Sequence, residues 1–379
     1  MTVSVVGWYG TETQGDIAIL DGIFAMLSEL DSIVNVKLGS LYKFYTERTL
    51  LLNRDVFKIN SSNVDVDLFD IKDEKERTKS INESDLLLIG GGPLDNIREI
   101  LLLEKCFKIA DRKKIPSMIF GCGIDVLTDQ ECISSLKSIS SISKMILVRD
   151  EKTKEKFLNL FAGVQDKIFV IQDPAILSIV NYKLKVSNTL KKNNSVSINI
   201  RRYTSAEYLA PVYYSDQDFV TFIESVASHF EKVNLVPMHT FYCGEDDRYY
   251  LSRLNFQINK KNVTVMHRPL TLYELYNLFQ TSFGCVGMRY HSVVIQTILN
   301  GNNLIFDYTD PKNGKIVGFL RDNNLVECYN GRICHLQNRE VADLSDFSGR
   351  IKDCFSPVNV SYDSEFVVNL IKDVVYDRF

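Results

Sequence analysis

No run of about 18 uninterrupted apolar residues occurs in the 379-residue chain, so no membrane-spanning helix is expected. Proline is scarce, at eight, and tryptophan occurs once, which sets the chain apart from collagen-like and low-complexity sequences. Neither sign of charge dominates: 44 Lys and Arg against 48 Asp and Glu leave a net charge of −4. A nucleic-acid binder with a broad basic face is thereby disfavoured, whereas an anionic small ligand needs only a local basic cluster. The eight cysteines form no CxxC pair and have no histidine at zinc-finger spacing. They read as reduced and mostly structural. The first ten residues, Met1 to Gly10, lack the basic stretch followed by an apolar one that marks a secretory signal, and a cytoplasmic protein is expected.

What is present is ordinary globular composition, 45% hydrophobic and 24% charged. At roughly 100 to 200 residues per domain, the length allows two or three domains. Short apolar runs alternate with amphipathic stretches, the pattern of a parallel sheet covered by helices, and the alternation occurs twice. Strands are expected at Val3 to Val6, Asp85 to Ile89, Ser117 to Phe120, Met145 to Val148 and Ile168 to Ile171. Helical spacing fills Ile17 to Leu30, Ile97 to Arg112 and Thr153 to Phe161. The second series has strands at Val196 to Ile200, Val233 to Pro237, Val263 to Val265, Phe283 to Val286 and Leu304 to Phe306. Its helices fall near Phe219 to Phe230, Asp246 to Leu254, Leu272 to Phe279 and Ser292 to Asn300. The polar stretch Asn181 to Asn194 reads as an exposed connection, giving domains 1–185 and 186–379, with a helix near Phe366 to Tyr376 that packs back across one of them. The expected fold is α/β, with two doubly wound Rossmann-like domains facing a cleft lined by loops at the carboxyl ends of the strands.

Those strand ends carry the residues of interest. Gly7 to Asp16 follows the first strand and contains Gly7, Gly10 and Gly15, allowing positive φ and close backbone approach to a ligand. Asp16 is either a helix cap before Ile17 or a functional acid, and Trp8 and Tyr9 either pack in the core or stack on a sugar ring. Gly90, Gly91 and Gly92 end another strand, and Gly121, Cys122 and Gly123 a third. In the second half, Asn199, Ile200, Arg201 and Arg202 close the first strand, and Gly287, Met288, Arg289, Tyr290 and His291 lead into a helix near Ser292. Guanidinium groups beside a helix amino terminus make an anion site, and an adjacent histidine is placed to donate a proton to a bound anion. His239 ends another strand, with cleft placement and structural hydrogen bonding equally open. His229 and His267 receive no role. The acidic run Glu245, Asp246 and Asp247 is explained by the dipole of the helix it opens, and no metal site is expected.

Taken in order, these motifs resemble the polysaccharide pyruvyl transferase family. The matching pieces are Gly7-Trp8-Tyr9-Gly10 with Gly15-Asp16-Ile17-Ala18-Ile19, Ile89-Gly90-Gly91-Gly92, Gly121-Cys122-Gly123-Ile124, Val148-Arg149-Asp150 and Asp173-Pro174-Ala175. Gly287-Met288-Arg289-Tyr290-His291-Ser292 is the most specific, and Lys315-Ile316-Val317-Gly318-Phe319 follows it. Where family members often have Asn-Leu-Gly-Asp, this chain has Thr13-Gln14-Gly15-Asp16, and Asp125 stands where a proline is usual. The resemblance implies a fold like that of GT-B glycosyltransferases and transfer of pyruvate from phosphoenolpyruvate onto two hydroxyls of one sugar as a cyclic ketal, with no cofactor. It implies that Arg201, Arg289 and the helix start hold the donor, with either Lys315 or Lys312 nearby, that Ser292 and His239 are substrate-binding, and that His291 is the proton donor. Asp16 would be the base, and Gly10, Gly15, Gly91 and Gly92 would seat a nucleotide-linked, lipid-linked or oligosaccharide acceptor of a capsule, exopolysaccharide or other surface glycan. A peripheral membrane association stays open. The competing readings are a nucleotide-sugar-dependent glycosyltransferase and a non-catalytic glycan- or nucleotide-binding protein.

Overall fold

Apolar, β-branched runs bounded by glycine, serine or aspartate become the central strands. The structure is a computed structural model that describes residues 1–11, 13–186, 190–203, 213–241, 245–338, 344–353 and 358–376. Glu12 of the first glycine-rich loop, Cys243 and Cys354 lie outside the described residues. The chain divides into two units, Met1–Tyr182 with Ser361–Phe379, and Lys183–Val360.

In the first unit, β1 (Thr2–Val6), β2 (Val34–Ser40), β3 (Val64–Asp70), β4 (Leu86–Gly90), β5 (Ser117–Cys122), β6 (Met145–Val148) and β7 (Ile168–Val170) form one parallel sheet. Its order is β3-β2-β1-β4-β5-β6-β7. The second unit repeats the winding with β8 (Asn193–Ile198), β9 (Lys232–Leu235), β10 (Val263–Val265), β11 (Ser282–Gly287), β12 (Asn303–Asp307) and β13 (Ile333–His335), in the order β10-β9-β8-β11-β12-β13. All of its pairings are parallel too. Each sheet is therefore doubly wound, as expected, with its order reversing once: between β1 and β4, and between β8 and β11. Buried on both faces, central strands of this kind read as continuous apolar runs. Leu86, Leu87, Leu88 and Ile89 of β4 are all buried, each contributing about 1.5–3 kcal/mol of hydrophobic stabilisation.

The structure departs from the expected elements at identifiable places. β2, β3 and β13 were not anticipated: Val64–Asp70 alternates with Asp65 and Asp67, a residue type depleted in strands, and Ile333–His335 is a three-residue edge. The helix Pro174–Val186 runs through the first part of the expected connection, burying Tyr182, so the polar stretch is shorter than its composition suggests; residues 187–189 lie outside the described chain. The first helix spans Gln14–Ser28 and begins three residues before Ile17. The carboxyl-terminal helix Ser364–Val375 belongs to the first unit and packs against Gln14–Ser28.

Candidate functional site

The second sheet's switch point is built by Asn199, the residue that follows β8. Its backbone N–H donates to Val286 O at 2.8 Å, its side-chain amide donates to Val236 O at 2.9 Å, and its Oδ1 accepts the N–H of Arg289 at 3.1 Å. One buried asparagine thus laces the ends of β8, β9 and β11 and fixes where Arg289 leaves the backbone. The N–H of Arg201 meets Met288 Sδ at 3.4 Å, tying the two arginine-bearing strand ends together a second time.

Arg289 is not a freely moving surface cation. Its Nε donates to both oxygens of Asp247 at 3.0 and 2.8 Å, and its Nη2 donates to Oδ1 at 2.6 Å and, weakly, to Glu245 O at 3.5 Å. Asp247 is itself buried, and its Oδ2 also accepts the N–H groups of Met238 and His239 at 3.0 and 3.1 Å. The side chain of Arg289 is 17% exposed, and its outer nitrogen, Nη1, donates to nothing among the described residues. The expectation for the acidic run is corrected here. Asp246 caps the helix Asp247–Gln257 through the N–H of Arg248, as its place before the helix suggests, but Asp247 grips an arginine 42 residues away.

Beside this pair, two further cations converge on one ring. Arg201 Cζ lies 5.7 Å and Lys315 Nζ 5.5 Å from the centroid of Tyr308, which follows β12 and is buried. The ring of Tyr203 approaches it at 6.3 Å. Each of the two positive groups is attracted to the π-cloud of that ring, which gathers two cations at one place after β12. Lys315 opens the helix Lys315–Asp322, whereas Lys312 is exposed and its carbonyl accepts Arg321 Nη2 at 2.6 Å. Of the two candidates, Lys315 is therefore the one in the cluster. Its helix start is anchored by a residue that sequence reasoning missed. Asp307 accepts the N–H and hydroxyl of Thr309 at 2.8 and 2.6 Å, and Thr309 Oγ1 sits so close to Gly314, the N-cap before Lys315, that a Cβ there would fall 1.9 Å from it. The same carboxylate contacts His335 Nδ1 at 3.2 Å, and nothing in the sequence had marked that histidine.

His291 occupies the first turn of the helix Tyr290–Leu299, half-buried, with its ring 4.9 Å from that of Tyr290. The N-cap is Arg289, which offers no side-chain acceptor to the first turn, so the amino terminus of the helix faces the arginine cluster without an internal anion. Ser292 lies differently from the expectation: it is fully buried and its hydroxyl accepts Gln296 Nε2 at 2.9 Å, which turns the side chain into the helix–sheet interior. His239 is buried, with its N–H on Asp247 and its carbonyl accepting the N–H of Asp247 at 3.0 Å. Burial alone would raise the Asp246 carboxyl, but Arg248 outweighs it and holds the group below the usual carboxylate range, with a smaller contribution from His239.

The first unit places its glycine-rich loops at the β1/β4 switch point. Trp8 and Tyr9 are both buried, which settles their alternatives in favour of packing: Trp8 Nε1 donates to Pro93 O at 3.0 Å and Tyr9 Oη to Gly90 O at 2.6 Å. Each ties the first loop to the second. Burial, and then the nearby Asp16 carboxylate, hold the Tyr9 phenol well above its ordinary value. Gly92 adopts φ +74°, and a Cβ there would fall 1.9 Å from the indole of Trp8, so only glycine fits. Gly10 and Gly91 also have positive φ, whereas Gly15 is buried inside the helix Gln14–Ser28. Asp16 stands in that helix's first turn behind the N-cap Thr13, so it is not the cap; half-buried, it lines a small pocket with Gly10, Thr11, Thr13, Thr46 and Thr49.

Two motifs noted in the sequence prove to be scaffolding. Arg149 is buried between Asp150 and Asp173, at 3.5 and 3.6 Å, and lies flat on Gly123, where a Cβ would come within 2.4 Å of its Nε. Asp150 caps the helix Glu151–Leu160 through the N–H of Thr153. Among the described residues, no group of three or more His, Cys, Asp or Glu side chains is disposed to hold a metal ion, and no helix is long and apolar enough to cross a membrane.

Comparison with solved structures places this architecture. A UDP-N-acetylglucosamine 2-epimerase from Methanocaldococcus jannaschii superposes with a TM-score of 0.60 at 13% identity, covering 98% of this chain and 99% of the other. The putative enzyme of that name from Listeria monocytogenes gives 0.61 at 13% identity, covering 98% and 96%. Anabaena HepE in complex with UDP-glucose gives 0.52 at 10% identity over the whole of both chains. At such identities the likeness is one of fold, two parallel-sheet α/β domains of the GT-B kind. No curated protein matches the sequence. Residues 15–310, however, match the family described as polysaccharide pyruvyl transferase, a span that runs from the first glycine-rich loop through both switch points to the Tyr308 cluster, and the chain belongs to that family.

Proposed function

We propose that this protein transfers the pyruvyl group of phosphoenolpyruvate to two hydroxyls of one sugar in a surface polysaccharide or its precursor, closing a cyclic ketal and releasing phosphate. The observation that carries the reading is that Arg201 and Lys315 meet at the ring of Tyr308, while Arg289, N-cap of the helix bearing His291, leaves a strand end that Met288 ties to Arg201 at the switch point of the second sheet. Phosphoenolpyruvate carries a phosphate and a carboxylate on adjacent positions. Guanidinium groups bind such oxyanions through paired N–H donors, and Lys315 adds a point charge.

His291 gives a proton to the methylene carbon, which becomes the methyl group and leaves an oxocarbenium-like centre at the adjoining carbon. A sugar hydroxyl attacks that centre and loses its proton, forming the first C–O bond. The C–O bond to phosphate breaks, the second hydroxyl attacks, and the ring closes. Of the two hydroxyl protons, one replaces that given by His291 and the other leaves with phosphate. We assign the acceptor to the first unit's pocket, with Asp16 as the base. The nucleotide sugar bound by Anabaena HepE makes a nucleotide-linked acceptor the first to try.

The test is phosphate release from phosphoenolpyruvate with a panel of nucleotide-linked and lipid-linked sugars. The reading expects release to require both donor and acceptor, and the product to carry a new methyl group on a ketal carbon. Sugar transfer from a nucleotide sugar without phosphoenolpyruvate would establish a glycosyltransferase instead.

A further inference from the structure

We propose that Asp247 is a positioning residue for the donor and acts through Arg289; the inference rests on the reading of this cluster as the phosphoenolpyruvate site. A guanidinium presents two edges, each able to form a paired hydrogen bond. Asp247 takes the Nε–Nη2 edge with three contacts between 2.6 and 3.0 Å. At the outer edge Nη1 is unengaged among the described residues and Nη2 makes only a long contact, to Glu245 O at 3.5 Å, which leaves that edge for an oxyanion.

Asp247 is suited to this because it is itself immobilised. It is the first residue of the helix Asp247–Gln257, it is buried, and two backbone N–H groups of the segment after β9 bind its Oδ2. Asn199 holds the other end of Arg289 by its backbone N–H. With both ends fixed, the side chain does not have to be ordered each time the donor arrives, and a pre-ordered group binds more tightly than a mobile one. The carboxylate also compensates the charge of Arg289. Asp247 itself touches neither donor nor acceptor.

A merely structural role and a role through Arg289 separate in a double-mutant cycle. Phosphoenolpyruvate affinity is measured by titration calorimetry on the full chain, on Asp247→Asn, on Arg289→Ala and on the double variant. Asp247→Asn is expected to weaken binding about tenfold when Arg289 is present and by less than about twofold when it is absent. Wild-type affinity in Asp247→Asn, or an equal loss in both backgrounds, overturns the inference. Should Asp247→Asn fail to fold, Arg289→Lys decides: a lysine occupied by Asp247 has no second edge, so its affinity is expected to match Arg289→Ala, and near-wild-type affinity overturns the proposal. A wild-type protein that does not bind phosphoenolpyruvate brings down the donor reading itself, a result distinct from both.

Discussion

At the level of single residues, binding and chemistry separate within one cluster. Arg201→Ala is expected to raise KM for phosphoenolpyruvate, whereas His291→Ala is expected to lower kcat by roughly a hundred- to ten-thousand-fold with a smaller change in KM, as removal of a general acid does. Steady-state kinetics on the two variants checks this, and full turnover by His291→Ala removes that residue from the mechanism. The cysteines give an independent check. Burial pushes the Cys106, Cys122 and Cys285 thiols up to about 12, while Cys328 is exposed. A thiol reagent at neutral pH is therefore expected to modify Cys328 in the native protein and those three only after unfolding, as read by peptide mapping. What the sequence showed at this scale was residue type at strand ends: Arg201, Arg289, His291 and Lys315 were all legible that way. What it could not show was pairing. Asp247 looked like one more acid at a helix start, and Asp307 and His335 lie 28 residues apart in neighbouring strands, so no local spacing connects them.

Elements are positioned by caps and close approaches whose loss is measurable. Thr271 and Glu274 form a reciprocal capping box at the helix Leu272–Thr281, which packs beside β11. Thr271→Ala is expected to cost about 1 kcal/mol of stability, seen as a lower Tm. Glu274 is held below its ordinary range chiefly by Arg268, which outweighs the opposing effect of burial, with a further contribution from the Thr271 N–H. A carboxyl depressed in the folded state stabilises above its unfolded pKa and loses that contribution as pH falls through the folded value. Acid unfolding of Arg268→Ala should accordingly be less steep below the ordinary glutamate range than that of the parent; an unchanged acid limb contradicts the assignment. In the first unit, the helix Gln14–Ser28 crosses the start of Pro174–Val186 so closely that a Cβ on Gly22 would fall 1.9 Å from Pro174 O. Gly22→Ala is expected to destabilise by at least about 1–3 kcal/mol, by the overpacking it forces. Central strands were legible because burial on both faces leaves an apolar run. β3 was not, because its alternating aspartates trade the apolar run for an exposed face.

Across the whole molecule, the same winding appears twice, and in each unit the motif loops flank the point where strand order reverses. In the first, Gly7 to Asp16 and Gly90 to Pro93 follow β1 and β4; in the second, Asn199 to Arg202 and Gly287 to His291 follow β8 and β11. Divergence of the connections at such a point leaves room for a ligand, which is why glycine-rich loops in one sheet and cations in the other collect there. The repeated alternation of strands and helices made this architecture readable from sequence, while the register of the sheets and the identity of the buried ion pairs emerged only from the fold. The decisive measurement is thermal unfolding with phosphoenolpyruvate, alone and with a nucleotide sugar, for the parent and for Arg201→Ala. A ligand at about 100 times its Kd stabilises the folded state by roughly 2.7 kcal/mol. The parent should show a raised Tm with phosphoenolpyruvate that Arg201→Ala abolishes. No response to phosphoenolpyruvate under either condition, or a response that Arg201→Ala retains in full, contradicts a donor site at this cluster.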